Sequence, residues 1–411
     1  MDASLGCGPV LTGIDHHRKP LRQQVFEFVR AAGQASRVEV ARALGVSPGS
    51  ITAIAAEFIS AGYLREVEAP LREEAGRGRP PVALEVVSEA HHVIGIKISD
   101  EQYSAAVSDF TGHVLADATL TTRTSRKSAN EMLDELAELL DLLLSQTQLR
   151  MPDIAAVGIG LSGLIDHQND KVVWSPFLDQ AGIPFKSEFE KRFKVVVHID
   201  NDANVLTLSE LWFGAGRNNS DFAVVTIEHG VGMGLVLNSQ LFRGSRGMGL
   251  ELGHTKVQLD GALCRCGQRG CLEAYLADYA LVREASTALG QVSHNAQDPH
   301  ATLETLYEQA KAGNLAAQAI FQRAGRFMAL GLANVIQLFD PELIVLSGER
   351  MRYEYLYASE VMAEMNKLTL KGEGPTPRVE IHAWGDLVWA RGAIALALSA
   401  VTDETFGGVD Q

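Results

Sequence analysis

Gly249-Leu-Glu-Leu-Gly-His254-Thr-Lys-Val-Gln-Leu-Asp-Gly-Ala-Leu-Cys264-Arg-Cys266-Gly-Gln-Arg-Gly-Cys271-Leu-Glu273 is the stretch on which the reading of this 411-residue chain turns. One imidazole and three thiolates are a complete tetrahedral set for zinc, and the intervening glycines let a short loop fold around the ion. Because the protein supplies all four ligands, His254, Cys264, Cys266 and Cys271, the expected site is closed and structural, not one that activates water. Buried free thiols and an iron–sulfur centre are the competing readings, and the mixed ligand set disfavours the cluster. The remaining cysteine, Cys7, stands alone near the start; such clustering points to metal before disulfide.

Around that loop the chain reads as an α/β body. His92 to Ser99 alternates as a strand, Tyr103 to Asp109 and Gly112 to Ala116 continue a meander, Glu131 to Leu149 is a leucine-rich helix, and Ile154 to Ile159 is another strand. Val195 to Ile199 then leads straight into Asp200-Asn201-Asp202. That places Asn201 and Asp202 at a carboxyl strand end, where α/β sheets hold ligands. Glu251 precedes the ligand His254 by three residues and Glu273 follows Cys271 by two, so the metal loop would draw Glu251, His254 and Glu273 together. Carboxylates, an amide and an imidazole converging on one cleft suit a polyhydroxylated ligand, since each sugar hydroxyl donates and accepts.

The first 86 residues read differently. Leu21, Val25, Phe28 and Val29 mark one buried face of a helix from Arg18 to Ala32. Arg37 to Leu44 is a second, short helix, and Gly45-Val46-Ser47 is the turn after it. Ser47 caps the third helix with Pro48 at its first position. There Ile51, Ile54, Ala55, Phe58 and Ile59 share the inner face, leaving Ser47, Gly49, Ser50, Thr52 and Ala53 at the outward N-terminal end to approach base edges of double-stranded DNA. With an extended return ending in Val82 to Val86, this is a winged helix-turn-helix; a small helical domain for protein contacts is the other reading. Gly76-Arg77-Gly78-Arg79-Pro80-Pro81 would lay Arg77 and Arg79 into a narrow minor groove, or else serve as a hinge.

The formal charge is −15, and the first 86 residues are neutral, with the whole excess in the remainder. A neutral head binds DNA weakly alone and favours an oligomer that adds footprints. No basic leader precedes an apolar stretch, and no apolar run approaches about 18 residues, so the expected location is the cytoplasm.

Four segments, His198-Ile-Asp-Asn-Asp-Ala-Asn204, Gly230-Val-Gly-Met-Gly234, Gly249 to His254 and the cysteine loop through Glu273, together resemble the ROK family (repressors, open reading frames, kinases). With the winged head, the likeness is to its sugar-responsive repressors and covers essentially the whole chain. It implies an actin/hexokinase-like (ribonuclease H-like) body of two α/β lobes around a cleft: residues 87–200 with 389–411, and residues 201–388, which carry the zinc loop and an oligomerisation surface. Homodimers or homotetramers are implied as well. So is a sugar site formed by Gly163, Asn201, Asp202, Glu251, His254 and Glu273, with one nitrogen of His254 on zinc and the other toward the sugar. In family kinases the residue matching Asp202 is the general base.

The phosphate loops depart from the kinase pattern. The Asp-x-Gly-Gly-Thr loop is replaced by Lys97-Ile98-Ser99-Asp100-Glu101, which has no glycine and sets two acids where phosphate should lie. Gly-Thr-Gly is replaced by Glu228-His229-Gly230. An Asn-Leu pair is replaced by Phe177-Leu178, which leaves the sugar's identity open. The expectation is a DNA-binding repressor controlled by a sugar, with structural zinc, no productive ATP site and no catalytic residue. The alternatives are a sugar kinase with an appended head, and a regulator whose body senses a protein partner.

Overall fold

The computed structural model describes residues 6–10, 19–68, 82–288, 299–348, 351, 353, 359–370, 376–382 and 387–408. Arg77 and Arg79, the expected minor-groove pair, lie outside the described residues. By their contacts, Met1–Ser220, Leu237–Leu241 and Asp386–Gln411 form one unit, and Asp221–Val236 with Phe242–Gly385 form a second.

The first unit opens with α1 (Leu21–Ala32), β1 (Gln34–Ser36), α2 (Arg37–Leu44), α3 (Pro48–Ser60), β2 (Leu64–Glu68) and β3 (Val82–Val86). Ser36 and Glu39 close a capping box on α2, Gly45 ends it in the left-handed region, and Ser47 caps α3 through the amide of Ser50. The strands form an antiparallel sheet in the order β1-β3-β2. Burial of α1 exceeds the expected stripe: Gln23, Gln24, Phe26, Glu27 and Arg30 are buried with Val25 and Val29, while Phe28 is only partly so.

Next come β4 (His92–Ile98), β5 (Gln102–Asp109), β6 (Val114–Thr121), α4 (Ala129–Leu144), β7 (Ile154–Leu161), the hairpin of β8 (Leu164–Asp166) and β9 (Lys171–Trp174), α5 (Phe185–Phe193), β10 (Val196–Asn201) and α6 (Asp202–Phe213). The sheet runs β10-β7-β4-β5-β6, parallel across the first three strands. Alternation along β4 sorts its two faces. Ile94, Ile96 and Ile98 join the core with Leu136, Leu139 and Leu140 of α4.

The second unit contains β11 (Phe222–Ile227) and nearly all of β12 (Val231–Leu237); the short β13 (Gln240–Phe242) that follows belongs mostly to the first. In the second unit then come α7 (Glu273–Leu276), α8 (Asp278–Ala288), α9 (Pro299–Lys311), α10 (Leu315–Phe339), β14 (Leu343–Ser347), α11 (Ser359–Leu368) and β15 (Arg378–His382). β11 lies between antiparallel β12 and parallel β14, and β15 continues the sheet beyond β14.

The chain returns to the first unit as α12 (Leu387–Phe406), which lies on the other face of the first sheet. A Cβ on Gly95 or Gly158 would stand about 2 Å from carbonyl oxygens of α12, so helix and strands touch backbone to backbone. Lys97, on the same face as Gly95, lays its ammonium over the Trp389 ring at 3.8 Å. By contacts the first unit runs on past residue 200 to Ser220, because α6 packs along α12 and stays with the first sheet.

Candidate functional site

Two groups of predicted residues come together, one in each unit. In the first, parallel β7 and β10 end side by side, with Asn201 opposite Leu161. Gly163 follows with φ +136°, and a Cβ there would lie 2.1 Å from the Trp174 carbonyl oxygen, so only glycine fits. That tight turn presents its carbonyl oxygen to Asn201, whose Nδ2 donates to it at 2.8 Å. The Oδ1 of Asn201 caps α6 by accepting from the Ala203 amide at 2.9 Å. Asp202, the first residue of α6, accepts from the same amide at 2.9 Å and from the hydroxyl of Ser162. Gly163, Asn201 and Asp202 are thus one hydrogen-bonded cluster.

Beneath them Asp200 is fully buried. Its carboxylate accepts from the Asn201 amide and from Asn204 Nδ2, both at 2.8 Å, and faces His167 Nε2 at 3.3 Å. Ser162 and Asp200 were not singled out from sequence. The parallel register of β7 and β10 is what brings Ser162 beside Asp202.

In the second unit the four metal-ligand candidates converge. One donor atom from each of His254, Cys264, Cys266 and Cys271 lies within 4.8 Å of the others. Cys264 Sγ is 3.7 Å from His254 Nδ1, and Cys266 Sγ is 3.7 Å from Cys271 Sγ. Zinc–sulfur bonds of about 2.3 Å in a tetrahedron put sulfurs roughly 3.8 Å apart, so the spacing fits zinc. The turn is made by Gly270 at φ +75°, where a Cβ would stand 1.7 Å from the Gln258 carbonyl oxygen. Burial pushes the Cys264 thiol up to about 12, so a metal must displace a tightly held proton there.

Groups around the cluster hold it. Lys256 Nζ donates to Cys271 Sγ at 2.9 Å, and the Tyr279 hydroxyl shares its one proton between Cys264 Sγ at 3.5 Å and Glu273 Oε1 at 3.3 Å. Glu273 is buried, and its other oxygen accepts from the Val231 amide at 3.4 Å, so this carboxylate ties the cysteine loop to the glycine run. Glu251 is exposed, at the start of the short 3₁₀ turn Leu252–His254. Leu250 before it has φ +69°, a conformation that costs a non-glycine residue about 1–3 kcal/mol.

The stretches that replace the two kinase phosphate loops are both tight turns. Ser99 Oγ closes the first by donating to the Gln102 carbonyl oxygen at 2.5 Å. In the second, the Glu228 amide donates to the Gly230 carbonyl oxygen at 2.9 Å, and His229 Nδ1 lies 3.1 Å from Asp278.

The family model described as ROK family matches residues 93–400, three quarters of the chain. The chain belongs to the ROK family. Among relatives, the xylose repressor of Caldicellulosiruptor bescii is 26% identical over 376 residues, covering 89% of this chain and 92% of that protein. The DNA-binding transcriptional repressor Mlc of Escherichia coli K12 is 29% identical over 337 residues, covering 82% of each. A crystal structure of a ROK family transcriptional regulator, a homologue of E. coli Mlc, superposes with a TM-score of 0.77 at 24% identity, covering 93% of this chain and 96% of that one. The ROK family glucokinase of Streptomyces griseus, in complex with glucose and AMPPNP, gives 0.63 at 28% identity, covering 75% and 99%. The mixed α/β body is thus the actin/hexokinase-like fold of the ROK family. Among the described residues no helix is long and apolar enough to cross a membrane.

Proposed function

We propose that this ROK protein is a transcription repressor in which an N-terminal winged helix-turn-helix binds operator DNA and a sugar or sugar derivative sets its affinity. The observation that carries this reading is α3. Ile51, Ala55 and Phe58 are buried, while Ser47, Gly49, Ser50, Thr52 and Ala53 are all exposed along its N-terminal half. A helix packed this way behind a short helix and a glycine turn offers small polar residues to a major groove. β2 and β3 supply the wing, and Arg77 and Arg79 in their connection take the minor groove. The names of the relatives, a xylose repressor and a DNA-binding repressor, support the same reading.

The sugar is held by Gly163, Asn201, Asp202, Glu251, His254 and Glu273. Asn201 has committed one N–H and one lone pair, which leaves the remaining N–H and lone pair for hydroxyls. Asp202 accepts from Ser162 and Ala203 and serves as an anchor, not a base. Zinc is structural: Nδ1 of His254 faces the thiols, which leaves Nε2 to turn outward. ATP does not bind productively, because the turn at Asp100 and Glu101 and the turn at Glu228 bring acid where phosphate oxygens would sit. The protein acts in the cytoplasm as a homodimer or homotetramer.

Thermal unfolding of the zinc-replete protein across glucose, xylose and N-acetylglucosamine, with and without magnesium-ATP, tests this, since a ligand that prefers the native state raises the midpoint. The expected result is a rise with one sugar and none with nucleotide. A rise with ATP establishes the kinase instead, and no rise with any sugar points to a protein effector.

A further inference from the structure

The two ends of α6 do different things. Its first residue is Asp202 and its cap is Asn201, the proposed sugar anchors. About 18 Å away along the axis, its last turn meets the DNA-binding head. There the Arg30 guanidinium of α1 lies over the Trp212 ring at 4.5 Å. The Trp212 carbonyl oxygen accepts from the Gly8 amide at 3.0 Å. Arg217, just beyond the helix, donates through Nε to the Gly8 carbonyl oxygen at 3.0 Å and through Nη2 to the Ala31 carbonyl oxygen at 2.7 Å. The Val10 amide donates to the Arg217 carbonyl oxygen at 2.9 Å, and the Cys7 amide to the Arg30 carbonyl oxygen at 3.1 Å. Residues 6–10 therefore form a strap across the end of α1 and the end of α6.

Between its ends α6 has no slack. Every residue from Ala203 to Trp212 is buried. A Cβ on Gly392 would stand 1.9 Å from the Val205 carbonyl oxygen, so α12 touches its backbone. α12 reaches the head as well, where Thr402 Oγ1 accepts from Arg30 Nη1 at 2.8 Å. A close-packed helix of this kind moves as a rigid piece and does not bend locally.

We propose that α6 is the coupling element: a ligand on Asn201 and Asp202 shifts the helix along its axis, and Trp212 and Arg217 pass the shift to α1 through Arg30 and the Gly6–Val10 strap. This rests on the sugar assignment made above and adds the route by which that site controls the head. Arg30 and Arg217 are positioning residues, for they touch neither proposed ligand.

The test uses the full-length protein, its Arg217→Gln and Arg30→Met variants, and a duplex selected by the parent from a random library. Operator affinity is measured with and without glucose, xylose or N-acetylglucosamine, and sugar affinity is measured separately. Each variant is expected to bind sugar within about twofold of the parent while the ratio of operator affinities falls at least about fivefold toward one. In the parent, the same sugar is expected to change amide exchange at Cys7, Gly8 and Val10. Variants that keep the parent's ratio, or exchange at the strap that ignores sugar, overturn the coupling alone. A parent whose operator affinity no sugar alters overturns the repressor reading and the coupling together.

Discussion

Of the four metal-ligand candidates, Cys266 is the exposed one, whereas Cys264 and Cys271 are buried. Replacing it by serine removes a thiolate without disturbing the core, and the expected outcome is loss of stoichiometric zinc by elemental analysis. Because Glu273 shares the Tyr279 hydroxyl with Cys264, the proposed metal and sugar residues are expected to stand or fall together, so Cys266→Ser should abolish the sugar response while leaving operator affinity largely intact. Retention of the response in metal-free protein would sink this account. At this scale the sequence was legible for the cluster: spacing and glycines pointed to the four side chains that converge. It was less so for the support. Lys256 and Tyr279 carry no pattern, since a lysine beside a thiolate and a tyrosine six residues past Glu273 look like any surface pair until the loop closes.

Among the elements, α1 shows where local pattern stops. Its apolar spacing predicted one buried stripe, yet Phe26 is wholly buried against Phe406 of α12, ring centroids 4.4 Å apart. Nothing near Phe26 announces a partner so distant in sequence; α12 also covers Gln23, and α12 together with Trp212 of α6 covers Arg30. Phe406 also faces Phe58 at 5.0 Å and Tyr63 at 5.1 Å, so one ring fastens α1, α3 and the start of β2. Phe406→Ala is expected to cost about 3–5 kcal/mol in chemical unfolding, the range for emptying a buried phenylalanine site. His91 stacks on Tyr63 at 5.9 Å and meets Phe110 edge-on at 4.9 Å in the same cluster. Burial, reinforced by the charge of His92, holds its imidazole below the ordinary histidine value. A histidine kept neutral by the fold contributes stability above its unfolded value, and that contribution is lost as pH falls through the depressed one. The melting temperature should therefore drop below about pH 6.5, and His91→Phe should flatten that part of the profile. An unchanged profile in the variant would show that other groups govern it.

Across the whole molecule the charge of −15 falls outside a neutral head. Each phosphate contact contributes about −0.9 to the slope of log affinity against log salt. Arg77→Ala with Arg79→Ala should therefore weaken operator binding and make that slope shallower by up to about two per head, as fluorescence anisotropy would register; unchanged values would leave the segment a hinge. The first strands of the body were readable from alternating periodicity, but the four successive helices α7 to α10 and the boundary after Ser220 were not, the latter because it depends on the contact between α6 and α12. That contact also sets an order of events during synthesis. Gln23 of α1 hydrogen-bonds Asp403 of α12 across 380 positions of sequence. At about 5–20 residues per second, roughly 20 to 75 seconds separate their emergence from the ribosome. Throughout that interval the head exists without its seat, so a nascent or prematurely ended chain presents the proposed DNA-binding surface before the proposed sugar control over it can exist.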